Sequence, residues 1–254
     1  MTPETPDNNT IYIYDGSLDG LLTCVFEVFE RKEYDAVISK AGDVQLTIGA
    51  EIKEISTDAA KAERVYKGIV QKIGSEALRS AYYATLSSEP DAETAALNFL
   101  RVAFKRGHKI SGDLADPRVW RMHQISRGVD REKYRYIEFL RFSELEGGIL
   151  FAEFEPAPNV LPLIMPHFAD RLTSLPFIIH DKRRLIAGVY DTKEWLLISS
   201  ADMNLPQFSS DENECRELWR LFFNTIAVKE RINPRLQMQL MPKKYWEYMT
   251  EMQK

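Results

Sequence analysis

The sequence predicts an α+β protein: an antiparallel sheet of about five strands flanked by helices, with a largely helical N-terminal half. Three observations predict it. Between Tyr134 and Ser200, short β-branched and aromatic runs alternate with turn residues, the pattern of strands. Between Thr57 and Val129, apolar residues recur at helical spacing instead. No repeat, low-complexity stretch or linker interrupts the chain. A single domain over 1–254 is therefore expected, with a helical lobe at about 10–130 and a sheet-centred lobe at about 131–254.

In order, Thr10-Ile-Tyr-Ile-Tyr14 reads as a strand and Asp15-Gly16-Ser17 as a turn. Ser17 or Asp19 can cap a helix from Leu18 to Arg31, whose Leu21, Leu22, Val25, Phe26, Val28 and Phe29 form one apolar face. This strand–turn–helix lacks the glycine spacing and the lysine of a P-loop, so it is read as packing. Val44 to Ile48 is the best strand candidate in an irregular stretch. Thr57 or Asp58 opens a helical region that Gly74-Ser75 divides, and a further helix runs from Ala92 to Lys105, ended by Gly107. Pro117, behind the capping Asp116, starts a helix to about Val129.

The sheet follows. Its expected strands are Tyr134–Phe142, Ile149–Phe154, Phe177–His180, Leu185–Asp191 and Trp195–Ile198, and their short turns suit antiparallel pairing. Val160 to Leu172 can be a helix across the sheet, with Pro166 expected to kink or split it. Glu212 to Ala227 reads as a helix with Cys215, Leu218, Trp219, Phe222, Phe223 and Ile226 inward. Asn233-Pro234 can begin a short helix in the tail.

The 254 residues are 44% apolar and 28% charged, ordinary for a soluble globular chain. No apolar run reaches the roughly 20 residues that cross a bilayer, and Met1–Thr10 is polar and acidic, unlike a signal peptide. Cys24 and Cys215, the two cysteines, each lie in an apolar helical pattern and are read as reduced core residues. A cytoplasmic protein without a membrane partner is expected.

The net charge of −5 argues against indiscriminate coating of nucleic acid, but the charge is unevenly spread. Residues 1–63 hold 13 acidic and 5 basic side chains, residues 101–141 hold 11 basic and 5 acidic. Basic residues interleaved with aromatics, as in Arg118, Trp120, Arg121, Arg127, Arg131, Tyr134, Arg135 and Tyr136, suit phosphate contact with base stacking. Lys243-Lys244-Tyr245-Trp246 repeats the mixture, and Arg141 and Arg171 extend the candidate set. The same residues also suit a solvated amphipathic surface.

No Cys-x-x-Cys, His-Glu-x-x-His, Gly-x-Ser-x-Gly or dinucleotide fingerprint is present, nor the motifs of uracil-DNA glycosylases or a radical-SAM cysteine triplet. No metal or cofactor is expected. One catalytic constellation stays open: His167 and Asp170, three apart, with His180 and Asp181 at a strand end, as acid, base or metal ligands. The alternative is that His180-Asp181 begins a turn and Asp170 pairs with a nearby arginine.

Asn233-Pro-Arg-Leu-Gln-Met-Gln-Leu-Met-Pro-Lys-Lys-Tyr-Trp246 resembles the C-terminal signature of an uncharacterised bacterial family labelled as putative DNA metabolism or repair proteins. Tyr14-Asp-Gly-Ser17 is similar to its opening, and Arg135–Phe142, Pro166–Arg171, Asp181 and Arg184 to its middle. Members are typically encoded beside a radical-SAM DNA-repair protein, and in other bacteria a related domain is fused to a uracil-DNA-glycosylase-like domain. The resemblance implies a DNA-linked role and a radical-SAM protein partner, with no catalytic residue to carry over. The expectation is a nucleic-acid-binding or accessory protein of DNA metabolism and repair. The alternatives are an enzyme using the His/Asp set and a purely protein-binding scaffold.

Overall fold

A computed structural model describes residues 10–42, 50–201, 207–226 and 233–253. The strand expected at Val44–Ile48 and the helix end at Ala227 lie outside them. Backbone proximity divides the chain into two compact units, Met1–Asp130 and Arg131–Lys254. Among the described residues, no helix is long and apolar enough to cross a membrane.

The first unit is built on β1 (Thr10–Tyr14), β2 (Val37–Lys40) and β3 (Glu51–Glu54), which form a parallel sheet in the order β2-β1-β3. The connection from β1 to β2 is α1 (Leu18–Arg31), capped by Ser17, whose hydroxyl accepts from the Gly20 amide. Its Leu21, Leu22, Val25 and Val28 are buried in the core. The Asp58 side chain caps α2 (Ala59–Lys72), and Gly74, at φ 118°, turns the chain into α3 (Ser75–Leu86). A left-handed φ of that kind is where glycine is least strained. After α4 (Ala92–Arg106), a short 3₁₀ turn leads to α5 (Pro117–Phe139), a 23-residue helix.

The helix α5 corrects one expectation. Tyr134–Phe142, read as the first strand, is mostly its last two turns. Period two and period 3.6 both fit that stretch locally. The arbiter is the longer stripe Ile125, Val129, Glu132, Tyr136 and Leu140, buried at spacings of four, three, four and four. The strand that actually opens the second sheet is the three-residue β4 (Ser143–Leu145).

That sheet has five strands, in the order β4-β5-β6-β7-β8, with β5 (Ile149–Phe154), β6 (Phe177–Asp181), β7 (Ile186–Tyr190) and β8 (Trp195–Ser199). It is mixed, not purely antiparallel, because β5 and β6 run parallel. The cause is α6 (Leu161–Arg171), which carries the chain back along the sheet so that β6 begins at the same end as β5. Pro166 stands inside α6 without dividing it. The helix lies against β7 at Gly188, where a Cβ would collide with Met165.

Next in the chain, α7 (Glu212–Ile226) overturns the expected orientation of most of its apolar residues, Phe223 alone of the expected inward set being partly buried. Leu218, Trp219, Leu221, Phe222 and Ile226 are 42–63% exposed, and Cys215 is exposed too. The side facing the unit carries Glu212, Arg216 and Arg220. Glu212 accepts from the Glu144 amide at 2.9 Å, Arg216 donates to Ser143 Oγ at 2.6 Å, and Arg220 donates to the Thr250 carbonyl at 3.2 Å. The chain closes with α8 (Pro234–Leu240), capped by Asn233, and 3₁₀ turns at Lys243–Tyr248 and Thr250–Met252. Tyr245, from the first of these, packs edge-on against Tyr136 with ring centroids 5.0 Å apart.

Candidate nucleic-acid interface

The basic residues divide by what already holds them. Arg121 donates to Asp91 at 2.9 Å and to Glu89 at 2.8 Å, and these bonds raise its pKa further. Arg141 donates to the nearly buried Glu251 at 2.7 Å. Lys244 reaches both oxygens of Glu132, at 2.6 and 2.8 Å, and Glu132 also accepts from the Tyr245 hydroxyl. These three side chains tie elements together, which makes them poor first contacts for a phosphate. Arg135 lies over the Tyr245 ring and Lys243 over the Trp246 ring. Arg127, Arg131 and Arg171 are exposed and form no ion pair among the described residues.

Arg171 lines a cleft of about 570 Å³ whose lining residues all belong to the second unit. Its position follows from α6: Arg171 is the last helical residue, and Phe168 lies one turn earlier, in the cleft wall. Phe142 crosses Phe168 edge-on at 5.2 Å and Phe177 at 5.7 Å, so the aromatic wall continues into the core. From α7 come Arg216 and Trp219. Arg216 donates to Glu212 at 2.6 Å, and the Trp219 indole N–H donates to Glu251 at 3.1 Å. Burial alone would raise the Glu251 carboxyl, but its bonds from Arg141 and Trp219 leave it below the usual range. Arg141 and Arg216 are thus positioned by ionised carboxylates, while the Arg171 guanidinium has no ion-pair partner among the described residues.

A cavity of this size suits a nucleotide-sized group, with a few polar side chains fixing its orientation. An unpaired guanidinium beside aromatic rings offers a phosphate contact and a surface for a base.

The His/Asp constellation does not assemble. Asp170 is exposed on α6, and His167 packs edge-on against Phe168. His180 and Asp181 are consecutive in β6 and therefore point to opposite faces of the sheet. Asp181 is fully buried at the turn after β6, accepting from the Arg183 and Arg184 amides at 3.0 and 3.2 Å and from the Arg184 guanidinium at 2.9 Å. Arg184 also donates to the carbonyls of Pro156 and Ala157. This is the turn-forming arrangement weighed as the alternative. His180 Nδ1 lies 3.3 Å from Glu153 Oε1, its cross-strand neighbour. None of the four lines the cleft. Among the described residues, no group of three His, Cys, Asp or Glu side chains is placed to hold a metal ion.

Sequence reasoning singled out Arg141 and Arg171 but missed Arg216 and Trp219 as wall residues, having placed Trp219 in a core. The four-residue spacing of Glu212 and Arg216 was the available signal, because it marks an ion-paired helix face.

No curated protein matches the chain. The sequence model of a protein family described as a domain of unknown function, DUF4130, matches residues 90–251, which take in every residue of the cleft, and the chain belongs to that family.

Proposed function

We propose that the protein binds nucleic acid in DNA metabolism and repair, as a binding or accessory protein that works with a radical-SAM partner. The observation that carries this reading is the cleft of the second unit, lined by Phe142, Phe168 and Trp219 together with Arg171, which has no ion-pair partner among the described residues. A single strand is the polymer it suits best. Unstacked bases can enter a cavity and lie on aromatic rings, whereas bases inside a duplex cannot. The repair context and the partner rest on the resemblance of the Tyr14–Ser17, Pro166–Arg171 and Asn233–Trp246 segments. The proposal includes a cytoplasmic location, with which the free thiols of Cys24 and Cys215 accord.

The test is fluorescence anisotropy of a labelled single-stranded oligonucleotide with the full chain. Affinity is expected to fall steeply with salt, and Arg171→Ala to weaken it by about tenfold while flattening the salt slope by roughly 0.7, the share of one single-strand phosphate. Arg121→Ala is expected to change binding far less, because that guanidinium is already spent on Asp91 and Glu89. Absence of binding at low salt refutes the proposal. For the partner, co-purification with a radical-SAM protein of the kind the resemblance implies, with and without DNA, reads the second half of the claim. No co-purification under either condition removes it.

A further inference from the structure

The first unit holds a second polar cavity, of about 110 Å³, between α3, α4 and α5. Phe99, Val119 and Met122 make its floor, each no more than 3% exposed. Ser126 lines it, and its hydroxyl oxygen is buried without a hydrogen-bond partner among the described residues. Around it stand Arg79 from α3 and His123 and Arg127 from α5, the last two one turn apart. Two carboxylates share the lining. Asp130 accepts from the Tyr83 hydroxyl at 2.9 Å, and Glu76, largely exposed, lies 4.0 Å from Arg79. Arg127 has no carboxylate partner among the described residues.

A buried hydroxyl without a partner costs about 1–3 kcal/mol, so an acceptor placed against the Ser126 hydroxyl offsets that cost. The cavity is well below the roughly 300 Å³ at which pockets begin to enclose organic molecules, so only a small group fits. A tetrahedral oxyanion matches the donors present: a hydroxyl in the wall and two guanidinium forks. We infer that this cavity is a phosphate site, taking either a phosphodiester of a nucleic-acid strand or a terminal or free phosphate. Glu76 and Asp130 offset part of the positive charge. A free ion is therefore held more weakly than a phosphate already anchored by the rest of a strand.

The inference is tested on the full chain by calorimetric titration with inorganic phosphate and with a single-stranded oligonucleotide, with and without a 5′-phosphate. Phosphate is expected to bind, and Arg79→Gln with Arg127→Gln to weaken it by about tenfold or more. Ser126→Ala, the smallest change, is expected to weaken it while leaving thermal unfolding unchanged or raised, since it removes an unpaired hydroxyl. In the Arg171→Ala background the Arg79→Gln and Arg127→Gln substitutions are expected to weaken phosphate by the same factor as in the wild type, which separates this site from the cleft of the second unit. Dependence of oligonucleotide affinity on the 5′-phosphate, in the wild type and not in the Arg79/Arg127 variant, identifies a terminal phosphate. Equal loss for both oligonucleotides in that variant identifies the strand backbone. Phosphate binding that is absent, or that survives all three substitutions in folded protein, overturns the inference.

Discussion

The helices α1 and α7 are nearly equal in length, 14 and 15 residues, and both are amphipathic, yet they are buried in opposite senses. In α1 the apolar side goes in: Leu21, Leu22, Val25 and Val28 are at most 1% exposed. In α7 a polar side goes in, through Glu212, Arg216 and Arg220, and Leu218, Leu221, Phe222 and Ile226 face outward at 53–63% exposure. Periodicity fixes that a helix forms and which residues share a face. It does not fix which face meets the rest of the unit, because that depends on what the distant chain offers. For α1 that is the apolar core of its own sheet and α2. For α7 it is the Ser143 hydroxyl, the Glu144 amide and the Thr250 carbonyl.

The largest effect expected from this contrast is on stability. Leu22→Ala opens a cavity in a closed core and is expected to lower unfolding free energy by about 2–5 kcal/mol, measured by denaturant titration. A loss below 1 kcal/mol, in the range of surface substitutions, would show that α1 is not the anchored member of the pair.

A pH effect comes second. Burial alone would raise the Glu212 carboxyl, but the Glu144 amide, Ser143 and Arg216 together leave it below its ordinary 4.5. A depressed carboxyl contributes stability that is complete above its unfolded value and is lost as pH falls through the folded one. The anchoring of α7 is therefore expected to weaken progressively below about pH 4.5. In α1 the buried Glu27, held below its ordinary value by Lys61 and Arg31, titrates in the same direction, but the packing of Leu21, Leu22, Val25 and Val28 does not titrate and keeps α1 in place. Amide hydrogen exchange across pH 3–6 reads this directly. Protection in α7 should fall before protection in α1, and Glu212→Gln should remove the pH dependence. Simultaneous loss in both helices would break the comparison.

The same difference explains how far the sequence could be read. Elements set by local pattern were legible: β1, the Ser17 and Asp58 caps, the break at Gly74, and four of the five strands of the second sheet. Features set by distant partners were not. Tyr134–Phe142 satisfies a strand period and a helix period at once, and only the continuation of the Ile125–Val129 stripe decides between them. The parallel pairing of β5 with β6 depends on the path of α6. In the candidate site, Arg171 stood among the basic candidates with nothing in the sequence to mark it as unpaired. Arg121, Arg141 and Lys244 looked identical to it, but their carboxylates lie 30, 110 and 112 residues away. A count of basic residues shows charge. It does not show which charges are already neutralised.

The smallest expected effect is the sharpest test of the α7 orientation. Phe222 is 53% exposed, so Phe222→Ser removes apolar surface from water and little packing. The change in unfolding free energy is expected to stay within about 0.5 kcal/mol, the range of substitutions away from buried features. A core phenylalanine truncated to alanine typically costs about 3–5 kcal/mol, so the two orientations differ by far more than the error of a denaturant titration. A loss in that upper range would return Phe222 to the inward face that periodicity first suggested. It would then follow that Glu212, Arg216 and Arg220 are not what fastens α7, and the wall that Arg216 and Trp219 give the cleft would fall with them.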